Sequence, residues 1–169
     1  MMSYRFEGSK DIGGHNLGNL IFLSLMDITG SFMGAIQAIS RILKVKGTIL
    51  PSTLDTVTLY AMMEDGTLVR GENNIPTLNN SIDHVFYQKR VEPQRDALKA
   101  IRKADLIIYG IGSLYTSIMP NLIIPEIVDE IKRNPCQKIY FCNAMSQPGE
   151  TDDFSVEDHI RAIEKHSFK

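Results

Sequence analysis

The feature that most limits what this chain can fold into is an apolar run, then a small polar loop, then a helical repeat. Ala104 to Tyr109 reads as a short strand buried on both faces, and in Pro120 to Arg133 the residues Leu122, Ile123, Ile127, Val128 and Ile131 recur at helical spacing. Between them runs Gly110-Ile-Gly-Ser-Leu-Tyr-Thr-Ser-Ile-Met119. Lys138 to Cys142 reads as a second strand, so strand, crossover helix and strand make a βαβ unit with parallel neighbours. The loop then lies at the carboxyl end of a parallel strand and at a helix start, where open α/β sheets place ligands and where free N–H groups favour an anion. Gly110 and Gly112 let the backbone approach closely, Ser113, Thr116 and Ser117 offer hydroxyls to phosphate or sugar oxygens, and Tyr115 is placed either to stack on a base or sugar or to fill the gap beneath the helix. A capped strand-to-helix loop accounts for the same residues, since this is neither a P-loop nor a Gly-x-Gly-x-x-Gly fingerprint.

A length of 169 residues suits one domain, and 43% apolar with 22% charged residues is the ordinary balance of a soluble globular chain. The net charge of −2 gives no pull toward nucleic acid or membrane. The first residues lack the apolar core of a signal peptide, and no apolar run reaches the ~20 residues of a membrane span. Cys136 and Cys142 belong to no metal-spaced set, so the expectation is a cytoplasmic protein with reduced thiols.

In chain order, a helix opens near Leu17 with Leu17, Leu20, Ile21, Leu25 and Ile28 as its stripe. Gly30 ends it and Ser31 caps a second helix, Phe32 to Leu43, whose inward face reads as Phe32, Ile36, Ile39, Ile42 and Leu43. The two form a helical hairpin. Thr48–Leu50 and Thr56–Met62 are strand-like, and Glu64-Asp-Gly66 turns the latter into Thr67–Arg70 as a β-hairpin. A polar loop covers Gly71 to Ser81, Ile82–Gln88 is a further strand, and Pro93 starts a helix to Lys103. The last helix runs from Val156 to His166.

Two further constellations carry ligand chemistry. His15, Asn16 and Asn19 place an imidazole and two carboxamides at a helix entrance, suited to sugar hydroxyls or base edges, while helix capping by Asn16 explains the same pattern. Asn143-Ala-Met-Ser-Gln-Pro-Gly-Glu-Thr-Asp-Asp153 follows the second parallel strand on the rim shared with the first loop. Its Asn143, Gln147, Glu150 and Thr151 are ligand candidates, and Glu150 with Asp152 and Asp153 is a candidate Mg²⁺ set or merely a solvated helix start. His15, His84, His159 and His166 have no nucleophile at a recognisable spacing, so no catalytic residue is assigned.

Three motifs together resemble one family. His15-Asn-Leu-Gly-Asn-Leu20, Gly110-x-Gly-Ser-Leu-Tyr-Thr-Ser-Ile-x-Pro-Asn-Leu122 and Cys142-Asn-x-Met-x-Gln-Pro-Gly-Glu-Thr-Asp152 look like the YvcK-type gluconeogenesis factors, related to the 2-phospho-L-lactate transferase (CofD) superfamily. Ile49-Leu-Pro51, Thr58-Leu59, Asp65-Gly66 and Phe154-Ser-Val-x-Asp-His159 support the likeness, which covers essentially the whole chain. The chain departs from the pattern at Ile111, where the family usually has proline, and at Ala144, Ser146 and Asp153. It also lacks the family's leading Gly-Gly-Gly-Thr-Gly loop and its Asp-Asp-Gly-Gly-Ser-Ser stretch, so it resembles a central portion of the fold, shortened at both ends.

The resemblance implies a single α/β domain over residues 1–169, a Rossmann-like parallel sheet with flanking helices plus the β-hairpin and helical hairpin. It implies a regulator that binds a UDP-sugar, notably UDP-N-acetylglucosamine, and supports cell shape and growth on gluconeogenic carbon. No cofactor beyond that ligand is implied, and Mg²⁺ stays a candidate only through the carboxylates of the second loop. The alternative is a CofD-type phospholactyl transferase acting on a deazaflavin. A strand left without its neighbour implies association at that edge, hence a homo-oligomer.

Overall fold

The computed structural model describes residues 4–7, 13–77 and 80–167, and they fall into two compact units, Met1–Leu50 and Pro51–Lys169. In the first unit, α1 (Leu17–Thr29) is capped by Asn16, whose side chain accepts from Gly18 N–H at 2.8 Å. Gly30 closes α1 in the left-handed region at φ 69°, and Ser31 caps α2 (Phe32–Ile42) through the Gly34 N–H. The hairpin therefore forms where its cap residues place it. Its inward face differs from the expected one: Ala35, Ile36 and Ala38 are buried, whereas Phe32, Ile42 and Leu43 are exposed. Two of the three buried positions are alanines, which the spacing of large apolar residues does not single out. Ile28, at the end of the α1 stripe, is exposed as well. Thr48–Leu50 does not form a strand.

The second unit holds two sheets. β1 (Leu59–Met63) pairs antiparallel with β2 (Leu68–Arg70) and with β3 (Ile82–Tyr87), in the order β2-β1-β3. The hairpin turn is the expected one: Asp65 Oδ1 accepts from Thr67 N–H at 2.8 Å. β4 (Leu106–Tyr109) and β5 (Gln137–Tyr140) pair in parallel, Leu106 opposite Gln137 through Tyr109 opposite Tyr140. The buried cluster draws Leu59, Ala61, Met63, Ile75, Val85, Leu114, Met119, Leu122, Ile124 and Ile127 together from the antiparallel sheet and the helical segments, and Ile107, Tyr109 and Tyr140 of the parallel pair pack against it partly buried.

Three elements depart from the sequence reading for identifiable reasons. α3 spans Arg95–Arg102 rather than starting at Pro93, because Pro93 bridges to Thr53 and Gln94 caps the helix through Ala97 N–H at 2.7 Å. The long helix expected at 120–133 is broken into α4 (Met119–Leu122) and α5 (Pro125–Arg133). Pro125 forces the preceding Ile124 into an extended conformation at φ −92°, ψ 109°. β4 is not buried on both faces: Ile107 and Tyr109 pack on the core, while Leu106 is 43% and Ile108 55% exposed. Among the described residues β4 pairs only with β5, and the apolar run that reads as a central strand is covered on one side alone. α6 (Val156–Ser167) closes the unit.

Candidate functional site

The site is the rim at the carboxyl ends of β4 and β5, and the sequence on each strand carries its own loop there. After Tyr109 the chain runs through Gly110 and Gly112 into a π-helical turn, Leu114–Ile118, that leads directly into α4. The turn is made by the Ser113 carbonyl, which accepts from both Ser117 N–H and Ile118 N–H at 3.0 Å. Such widened turns recur at functional positions. Gly112 sits at φ 156°, and an added β-carbon would lie 3.0 Å from Ser117 Cβ. Gly110 lies against Phe141, the residue that carries β5 into the second loop.

The second loop reaches across to the first at three points. Asn143 Nδ2 donates to the Gly112 carbonyl at 3.0 Å, and Gln147 Nε2 donates to Ser113 Oγ at 2.9 Å. The Glu150 carboxylate accepts from Tyr115 N–H at 3.0 Å, Thr116 N–H at 3.3 Å and the Thr116 hydroxyl at 2.8 Å. The two loops expected to share a rim therefore do so, and they are tied to each other by hydrogen bonds. Thr151 is fully buried, and its hydroxyl accepts from Gln147 N–H at 2.9 Å, which fixes the turn that presents Gln147. Gly149, at φ 77°, lies so close to the Pro76 carbonyl that no side chain fits between them.

The candidate residues thus separate by what their groups touch. Tyr115 is buried, its ring edge-on to Phe154 and His166, and burial, with Asp83, Glu64 and Glu150 adding to it, pushes its hydroxyl up to about 12. Of the two roles open to it, stacking on a ligand or filling the core, the ring takes the second. Glu150, Thr151 and Thr116 likewise spend their polar groups within the protein. Ser117 is exposed, while Gly110, Gly112, Ser113, Asn143 and Gln147 are partly exposed on the rim. In the other unit, Asn16 is a helix cap, and His15 and Asn19 are exposed at the same helix entrance. Ile111, which stands where the family usually has proline, and Met145 are apolar residues on the two loops, 93% and 81% exposed.

Under the second loop, Tyr140 Oη and His159 Nδ1 lie 2.9 Å apart, with the His159 ring edge-on to Phe154. Burial lowers the His159 pKa against a smaller opposing effect of Asp158, and pushes the Tyr140 hydroxyl up to about 12. His159 is buried, 3% exposed. The acidic residues do not fit a magnesium site. Both Glu150 oxygens are engaged, Asp152 accepts from Gly149 N–H at 2.6 Å, and no group of three His, Cys, Asp or Glu side chains converges among the described residues.

A parallel strand pair with helices between the strands and paired loops at its carboxyl rim defines an α/β protein. The model of the 2-phospho-L-lactate transferase CofD family matches residues 1–169, and the chain belongs to that family. It is 44% identical over 167 residues to the gluconeogenesis factors of Halalkalibacterium halodurans and Bacillus subtilis, and 45% identical to a putative gluconeogenesis factor of Thermotoga maritima. These matches cover 98% of this chain but 52–53% of the relatives, so the chain spans about half the length of the curated relatives it matches. A crystal structure of a Bacillus halodurans protein superposes with a TM-score of 0.91 at 44% identity, over 98% of this chain and 54% of that one. Among the described residues no helix is long and apolar enough to cross a membrane.

Proposed function

We propose that this chain carries part of the ligand site of a cytoplasmic gluconeogenesis factor, a regulator that binds a nucleotide sugar of the UDP-N-acetylglucosamine type. In the whole protein that binding serves cell shape and growth on gluconeogenic carbon. The observation that carries the reading is the joined rim: Asn143 on Gly112 and Gln147 on Ser113 hold the neutral hydrogen-bonding residues of two loops side by side at the strand ends. The name shared by relatives at 44% identity supports the regulatory role. Isothermal titration of UDP-N-acetylglucosamine into this chain and into a full-length relative tests it. Heat of binding is expected, with a rise in melting temperature that grows with ligand concentration as the stabilisation reaches about 2.7 kcal/mol at a hundredfold excess over Kd. Absence of both in the full-length relative overturns the reading.

The family's description favours one alternative, transfer of a phospholactyl group to a deazaflavin alcohol. A product assay with a deazaflavin acceptor separates the two, since turnover belongs only to the transferase.

A further inference from the structure

We propose that Glu150 makes this rim a reader of the uncharged part of the nucleotide sugar, its hydroxyl and amide groups, and bars phosphate from the loop. The proposal rests on the nucleotide-sugar reading above and assigns which portion of that ligand meets these residues.

An anion entering a strand-to-helix loop takes the free N–H groups at the turn and any neighbouring hydroxyl. Here two N–H groups of the turn and its threonine hydroxyl are already taken from inside the protein. The Glu150 carboxylate receives Tyr115 N–H, Thr116 N–H and the Thr116 hydroxyl, and it is only 7% exposed. A phosphate placed against the same turn meets a second negative charge with little water between them, and like charges there repel strongly. No cation on the two loops offsets this. Residues 110–118 and 143–154 contain no Lys or Arg and three carboxylates, Glu150, Asp152 and Asp153.

What remains on the rim is neutral and bifunctional. The Ser113 hydroxyl accepts from Gln147 Nε2 and keeps its own proton to donate. Asn143 uses one amide hydrogen on Gly112 and keeps its carbonyl oxygen as an acceptor. Ser117 is exposed. Hydroxyls and carboxamides of this kind pair with sugar hydroxyls, an acetamido group or the polar edge of a base.

The test is a set of titrations of this chain, labelled with ¹⁵N, in chelator-treated buffer and followed by amide chemical shifts. The probes are uridine, N-acetylglucosamine, inorganic pyrophosphate and UDP-N-acetylglucosamine. The amides of residues 110–117 and 143–147 are expected to move with the nucleotide sugar or with either neutral probe. Pyrophosphate is expected to act at least about tenfold more weakly on them. In Glu150→Gln, once circular dichroism shows it folded, that disadvantage of pyrophosphate is expected to shrink. Pyrophosphate shifting Tyr115 and Thr116 in the unaltered chain at or below the concentration of the neutral probes overturns the proposal. So does a nucleotide sugar that gives heat of binding without moving the rim, and that outcome leaves the binding function standing. A nucleotide sugar that gives neither heat nor shifts, with this chain and with a full-length relative, removes the function and the proposal together.

Discussion

Two glycines on the rim look alike in the sequence and differ in what a side chain would meet. At Gly112 a β-carbon touches Ser117 Cβ at 3.0 Å and adopts an unfavourable φ of 156°. At Gly149 the φ of 77° is unfavourable too, and the β-carbon lands 2.0 Å from the Pro76 carbonyl oxygen, a backbone atom that cannot swing aside. Gly112→Ala is expected to cost about 1–3 kcal/mol of backbone strain, and Gly149→Ala more, because the 75–77 segment must move as well. For a chain of this size each kcal/mol lowers the melting temperature by roughly 2–4 °C, so calorimetry of both variants reads the order. An equal or reversed order contradicts the fit of Gly149 against Pro76. His159 supplies a pH signature. Its folded pKa lies below its ordinary value of 6.5, so between those values the unfolded chain binds more protons at this site. The stability it contributes is fully present above pH 6.5 and is lost as pH falls through 6.5 toward the folded value. Melting temperature is expected to drop over that interval, and the slope to flatten in His159→Gln, which keeps a partner for the Tyr140 hydroxyl; an unchanged slope rules out His159 as its source.

At the scale of elements, a single buried carboxamide fastens the βαβ unit at the end away from the rim. Asn134, which caps the carboxyl end of α5, donates to the carbonyls of Ile101 at 2.7 Å and Ala104 at 2.9 Å, and accepts from Cys136 N–H at 2.8 Å. It thereby ties the exits of α3 and α5 to the entrance of β5. Asn134→Ala leaves those groups without partners, a loss of about 1–3 kcal/mol that urea unfolding measures. A midpoint unchanged within error refutes the tie. Nothing in the sequence marked Asn134, since its worth comes from segments some thirty residues away. The legible parts were those decided by neighbours in the chain: Asn16, Ser31 and Gly30 as caps, Asp65-Gly66 as a turn, and the parallel pairing of β4 with β5. The break at Ile124 was also local, and the Ile124–Pro125 pair signalled it, but the apolar spacing on both sides masked it. Within the site, the shared rim followed from strand order. That Glu150 points inward to Tyr115 and Thr116 did not, because a carboxylate in a polar loop reads as solvated until its depth is known.

At the scale of the molecule, burial is distributed very unevenly between the two units. Every member of the main hydrophobic cluster, from Leu59 to Ala162, lies in Pro51–Lys169. In Met1–Leu50 the buried apolar residues among those described are Ala35, Ile36 and Ala38, two of them too small to release much apolar area from water. Both sheets, the joined rim, the Glu150 clamp and the Asn134 tie also belong to the second unit. Residues 51–169 should therefore fold without the first fifty. Expressed alone, that fragment is expected to unfold in one cooperative transition, with a melting temperature within a few degrees of the parent chain. Its amide spectrum should superpose on the parent's for β1, β3, β4 and β5. A fragment with helical circular dichroism but no cooperative transition and collapsed amide dispersion contradicts the expectation. It would mean that the helical hairpin supplies packing that its own burial does not disclose.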